Sequence, residues 1–298
     1  MMAYEGELAA VATALCWAVG SLFFTLTGRK VGSGTVNRAR LVLALLFLVA
    51  IHRIFLGDWF PSQADGTRFL WLGLSGLIGY VAGDGMLFEA FVLIGPRLAM
   101  LLMTLVPIFG ASLAWIFLGE NLTGLEVLAI LVTLAGIAWV VGERKNKGLA
   151  TPGKYTWGLL LGVGGALGQA VGLLLAKKGL DGGFSAISGN LIRVAAAVVL
   201  LLVYTWVKGD MFFHVRRLSG RRVQWQIAVA SFLGPVLGVV LSLVAISETE
   251  IGIASTLMSL SPLFLIPLSR LVFKERITIR AVVGTLVALV GSSLFFLD

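Results

Sequence analysis

Charge is what this sequence has least of. Only 13% of its 298 residues are Asp, Glu, Lys or Arg, where a soluble domain carries about 25%. With 58% hydrophobic residues and a mean hydropathy of +0.99, the chain has too little polar surface to face water, so the solvent for most of it is lipid. Cysteine is nearly missing. Cys16 stands alone, which excludes an intramolecular disulfide and a cysteine-held metal. Histidine is limited to His52 and His214, which read as polar groups at helix ends. A membrane enzyme acting on lipid would gather His, Asp or Lys near one interface, and no such cluster is present. No ATP-binding motif occurs, and no extramembrane segment is long enough to fold as a domain. No enzyme chemistry, cofactor or metal is therefore expected. The N-terminus MMAYEGE is acidic, so the first apolar run reads as a retained helix rather than a cleaved signal. The net charge of +8 comes from Lys and Arg between apolar runs, as in membrane loops, and not from the basic face of a nucleic-acid binder.

What is present is a series of long apolar runs. A helix needs about 20 mostly apolar residues to cross the hydrocarbon core. The runs are too continuous for the ten-residue alternation of a barrel. They predict about ten transmembrane helices, over 8–27, 35–55, 69–91, 97–118, 124–141, 155–177, 184–207, 224–246, 251–273 and 278–296. The longest connection, 208–223, is basic.

The chain also repeats itself. LLMTLVPIF at 101–109 matches TLMSLSPLF at 256–264. In the same register Pro107 pairs with Pro262, Glu120 with Glu275, Thr123 with Thr278, Gly136 with Gly291, Gly83 with Gly238 and Gly79 with Gly234. Nearer the start of each half, LCWAVG at 15–20 aligns with LGQAVG at 167–172, and Asn37 and Arg40 align with Asn190 and Arg193. The halves are 1–142 and 155–298, with a polar linker at 143–154. Five spans per half is an odd number, so the second half enters the membrane from the opposite side. The fold class is thus an all-α integral membrane protein of two inverted five-helix repeats, the usual construction of a secondary transporter with its site at the repeat interface.

The order Ala99, Pro107, Leu118-Gly119-Glu120, Thr123 and Gly136, repeated as Ala254, Pro262, Lys274-Glu275, Thr278 and Gly291, resembles the EamA repeat of the drug/metabolite transporter superfamily. The resemblance covers nearly the whole chain. It implies a ten-helix secondary transporter of a bacterial plasma (inner) membrane, similar to the YddG-type exporters of amino acids, other metabolites or toxic organic compounds. Substrate varies within that family, and aromatic amino acids are among those implied. The second copy departs from the first in Lys274 before Glu275 and in Val239 where the first has Asp84. The alternatives to a transporter are a scaffold or receptor with no solute path and the lipid-modifying enzyme already weighed.

Ionisable groups deep in a span cost about 2.5–3.5 kcal/mol on insertion scales and usually face a cavity or a partner. Arg193 lies midway along the seventh span, with Asn190 on the same helix face. Its guanidinium suits a substrate carboxylate or an internal acid. Asn37 and Arg40 repeat that spacing nearer a membrane end, where snorkelling to the interface competes with function. Asp84 and Glu89 lie about 140° apart around a helix. One is expected to line a path while the other pairs with an arginine, and either is a proton-coupling candidate. Pro107 and Pro262 interrupt the fourth and ninth spans and point to the transport path or to packing kinks. Trp17 and Gln169 align, the first suited to ordinary packing or to stacking on a solute and the second in need of a hydrogen-bond partner. Glu120 and Glu275 read as turn or cap residues. The glycines 158, 162, 164, 168 and 172 of the sixth span permit close helix approach. Energy for transport would come from protons, exchange or the solute's own gradient, and ten helices suffice for a monomer to enclose a cavity. By the positive-inside rule the richer basic side is cytoplasmic, which puts both termini outside; relatives are usually drawn with both inside.

Overall fold

The computed structural model describes residues 4–118, 123–142, 152–248, 251–275 and 277–295. All regular structure among them is helical. α1 (Glu5–Val31) and α2 (Ser33–Leu56) are joined by Gly32 alone, at φ +89°. Gly95, at φ +85°, makes the same one-residue turn between α3 (Gly66–Ile94) and α4 (Pro96–Leu102). Only glycine adopts such a backbone without strain, and Pro96 at the first position of α4 loses no helical hydrogen bond. Then follow α5 (Leu105–Leu118), α6 (Gly124–Gly142), α7 (Pro152–Gly179), α8 (Ala186–Val207) and a short surface helix α9 (Met211–Arg217). α10 covers 221–248, and α11 (Ile251–Met258), α12 (Ser261–Phe273) and α13 (Ile279–Leu294) complete the chain. α4 with α5 and α11 with α12 each form one interrupted crossing, so ten crossings result. Among the described residues nine helices are long and apolar enough to cross a membrane, and α13 is a shorter apolar tenth.

The repeat is visible in irregularities as well as in helices. α3 carries a π-helical stretch at Leu77–Gly83, and α10 carries its counterpart at Phe232–Gly238. The interrupted crossings break at Met103–Thr104 and at Ser259–Leu260, in the turn before Pro107 and Pro262. Proline offers no N–H to the carbonyl four residues back. The Met103 carbonyl accepts from the Val106 N–H at 3.0 Å instead, and that of Met258 from the Ser261 hydroxyl at 3.2 Å.

At the turns that the repeat matches, capping falls to the threonines. Thr123 and Glu126 form a reciprocal capping box at the start of α6, and Thr278 caps α13. Glu275 does not cap. It is buried and pairs with Arg97 at 3.4 Å, because it lies beside the start of α4 and away from the next helix's free N–H groups. Glu120 lies outside the described residues.

The halves are exchanged at their first helices. α1 packs on α10, α11 and α12 of the second half, and α7 packs on α3, α4 and α5 of the first. The glycine stripe of α7 makes the latter crossing possible. A β-carbon at Gly168 would stand 2.8 Å from Gly83 Cα, and one at Gly172 would stand 3.0 Å from Gly79 Cα. α6 and α13 pack against each other with the same economy, Gly136 meeting the Ala288 backbone and Gly291 meeting Thr133. α2 and α8 share an aliphatic cluster of Leu41, Leu48, Leu191, Val194 and Val198. Large side chains such as Leu46, Leu131, Val199 and Leu271 point outward, as they do where lipid is the solvent.

Candidate functional site

Because α1 and α7 cross between halves, the space they enclose lies at the repeat interface, level with the middle of α1. It is a cavity of about 450 Å³. Its wall is aromatic and soft: Trp17, Phe24, Phe88 and Phe91 are joined by Met100, Met103 and Met258. Both helix breaks reach it, through Thr104 with Pro107 and through Ser259 with Pro262. The hydroxyls there donate to their own helices, Thr104 to the Leu101 carbonyl and Ser259 to the Thr256 carbonyl, each at 2.7 Å. Their oxygens retain acceptor capacity toward the cavity.

One acid and one base belong to the wall, Asp84 and Arg40. They are 4% and 8% exposed and paired at 2.5 Å. Arg40 therefore does not snorkel. The one-residue turn at Gly32 keeps α2 tight against α1 and α3, so the guanidinium meets Asp84 Oδ2 and Asn37 Oδ1 and stacks 4.7 Å from the Phe88 ring centroid. Gln169 supplies the second partner of the carboxylate, its Nε2 lying 2.5 Å from Asp84 Oδ1 and 3.3 Å from the Gly79 carbonyl. The π-helical stretch prepares this contact, since the Asp84 N–H closes back onto the Gly79 carbonyl while that oxygen also accepts from Gln169.

Tyr80 ties the halves together at this level. Its carbonyl accepts from Asn37 at 3.0 Å and its hydroxyl donates to Asn190 Oδ1 at 2.5 Å. The Arg193 guanidinium stacks on the other face of the site, 4.6 Å from the Tyr80 ring centroid. Arg193 is not part of the cavity wall. It has no acid within ion-pair distance among the described residues, and its Nε has no hydrogen-bond partner.

The structure thus brings together Asn37, Arg40, Asp84, Gln169 and Trp17, with Pro107 and Pro262 at the rim, and sets Asn190 and Arg193 one layer back behind Tyr80. Glu89 stays apart, bonded to the Ser33 hydroxyl at 2.5 Å. Lining and pairing both fall to Asp84, where the helical angle alone divided them between Asp84 and Glu89. Tyr80 was not legible as a site residue. Its signal was an aromatic between Gly79 and Gly83, in a stretch whose glycines already marked close packing.

Two inverted halves of five crossings around a central, partly charged cavity define a polytopic membrane protein of the transporter type. Residues 5–142 and 156–297 each match the EamA-like transporter family, and the chain belongs to that family. A relative from Clostridium kluyveri, named an uncharacterized transporter, is 24% identical over 235 residues, 77% of this chain and 73% of its own length. Another uncharacterized transporter, from Archaeoglobus fulgidus, is 34% identical over 86 residues, 28% of this chain and 31% of its own. A solved crystal structure superposes over 97% of this chain and 94% of that one with TM-score 0.66 at 16% identity, a likeness of fold.

Proposed function

We propose that this protein moves small solutes with an apolar body and a carboxylate, amino acids and their aromatic members included, across a bacterial plasma membrane by alternating access, as an exporter. The observation that carries this reading is the charge arrangement around the cavity. Arg40 and Asp84 neutralise each other, while Arg193 behind Tyr80 adds a cation with no acidic partner among the described residues. The interior therefore favours an anionic group, and a guanidinium binds carboxylate in a bidentate fork. Aromatic and methionine walls suit the apolar body, and the hydroxyls at the helix breaks suit its donors.

Alternating access is supported by the inverted halves and by a second buried pair. Arg97 of the first half and Glu275 of the second join the start of α4 to the end of α12 on the basic side. By register the position that matches Arg97 in the second copy is Gly252, so the sequence does not repeat this pair. Asp84 is the coupling residue in this reading, exchanging its arginine for a proton when the solute carboxylate arrives.

The test is efflux from liposomes loaded with labelled amino acids, with and without a pH gradient. Wild type is expected to release solutes with apolar side chains selectively. Arg193→Gln and Arg40→Gln should each lower the flux at least tenfold, and Asp84→Asn should remove its dependence on the pH gradient. Flux unchanged in Arg193→Gln overturns the carboxylate reading, and flux in Asp84→Asn that still follows the pH gradient overturns the coupling role.

A further inference from the structure

The two repeat-equivalent surface connections differ in charge, and the difference defines a second binding surface. Between α2 and α3, residues 57–65 carry Asp58 and Asp65 and no base. From the end of α8 into the first turn of α10, residues 208–222 carry Lys208, Arg216, Arg217, Arg221 and Arg222 against Asp210 alone. This segment is fixed in place. Arg217 donates to the Val31 carbonyl at 3.0 Å and stacks on Phe213, and His214 meets the Thr35 hydroxyl at 2.8 Å. Arg38 donates to Thr205 at 2.8 Å beside it. Those contacts occupy Arg217 and leave Arg216, Arg221 and Arg222 exposed on the outside.

The same surface is apolar where it meets the spans. Trp206 is 74% exposed, Phe212 78% and Trp225 66%. They continue the outward row of Val199, Leu202 and Val203 on α8. Tryptophan at the end of a span marks headgroup level. Cations at that level, beside apolar groups continuous with the lipid-facing wall, match a ligand with an anionic head and acyl chains.

We propose that α9 and its flanks bind the phosphate headgroups of anionic phospholipids, with Arg216, Arg221 and Arg222 as the contacting cations and Trp206, Phe212 and Trp225 seated among the chains. Each base near an anionic surface contributes about 1 kcal/mol, roughly a fivefold change in binding.

The experiment is native mass spectrometry of the full chain in mild detergent, offered phosphatidylglycerol or phosphatidylcholine of matched chain length. Wild type should retain the anionic lipid preferentially, and added salt should weaken that preference. The combined variant Arg216→Gln, Arg221→Gln, Arg222→Gln should lose the preference by about two orders of magnitude, the product of three fivefold steps. Lys177→Gln with Lys178→Gln, at the far end of α7, should keep it. Circular dichroism of each variant reports that the helices remain. Equal retention of the two lipids by wild type, or an unchanged preference in the triple variant, overturns the proposal. So does displacement of bound lipid by free glycerol phosphate at the same concentration, which would make the surface a soluble-phosphate site.

Discussion

Among the described residues the first half of the site carries an ion pair at its π-helical stretch, and the second half carries none at its own. Around Asp84 the first half assembles Arg40, Asn37 and the Gln169 amide. At the corresponding place Val239 replaces the acid, and Trp17 replaces the glutamine and packs against Gly238. Arg193 keeps its position without an acidic partner among the described residues and rests on Tyr80. What the halves share is scaffold: the π-helical stretches, the broken crossings with their prolines, and the glycines of α6 and α13. What they do not share is the pairing chemistry. Duplication supplied the frame, and divergence at Asp84/Val239 and Gln169/Trp17 made one arginine a partner and the other a spare cation.

That contrast predicts opposite responses to the same substitution. Arg40→Gln leaves Asp84 buried and uncompensated, a loss of about 3–5 kcal/mol. It should appear as a large fall in the thermal midpoint in detergent. Asp84→Asn added to it should recover most of the loss. Arg193→Gln removes a charge with no counter-ion among the described residues, a relief of about 2.5–3.5 kcal/mol less the stacking on Tyr80, up to about 2 kcal/mol. The net is stabilisation by about 1 kcal/mol, with transport lowered. If Arg193→Gln destabilised the protein as much as Arg40→Gln, the two arginines would be structural equivalents and the asymmetry would be unreal.

The Arg97–Glu275 pair gives the next largest effect. Glu275→Gln should cost about 1.5–3 kcal/mol, the range for a hydrogen bond to a charged group, and the loss should fall on the state closed at the basic side. A cysteine at Thr104 should then react faster with a reagent added from that side. Exchanging the charges, Arg97→Glu with Glu275→Arg, should restore the slower rate. A rate set by Glu275 that no charge exchange recovers would assign the residue to packing alone.

Smaller still is the effect at the α6–α13 contact. Gly136→Ala and Gly291→Ala should each destabilise by about 1–3 kcal/mol through overpacking, with similar midpoints in thermal unfolding. Unequal costs there would show that the scaffold, too, has diverged.

Much of this architecture was legible. The length and apolarity of the runs fix the crossings, and an odd number of them per half fixes the inversion. The glycines at 168 and 172 were readable as close-packing positions because a missing side chain has few other uses in a span. Arg40, Asp84, Gln169 and Trp17, which line the cavity, were each readable from the sequence, but their pairings were not. Arg40 looked interfacial because linear distance from a span's end says nothing of a tight Gly32 turn that buries that end against α3. The division between Asp84 and Glu89 failed because helical angle ignores neighbours: Ser33, at the start of α2, takes Glu89 away from the cavity. The π-helical stretches left only paired glycines as a sequence signal, and Tyr80 gained its role through them. α9 was readable only as a basic connection, since seven residues are too few for a periodic pattern.

α9 also carries the smallest predicted effect, and one confined to the second half. Burial and the neighbouring charges of Arg38 and Arg217 lower the His214 pKa below the ordinary 6.5, with Asp210 opposing them. A lowered value means that the unfolded chain binds the proton more readily than the folded one. The stabilising contribution is then complete above pH 6.5 and is lost as pH falls through the lower, folded-state value. Acidification therefore weakens the hold of α9 on Thr35, which amide hydrogen exchange over 208–220 would register as faster exchange below pH 6.5. His214→Asn should flatten that dependence without changing exchange over 57–65, the counterpart in the first half, which His52 holds through the Asp58 carbonyl. Should the acid response over 208–220 persist in His214→Asn, the sensitivity would belong to the bundle as a whole and not to the hold of His214 on Thr35.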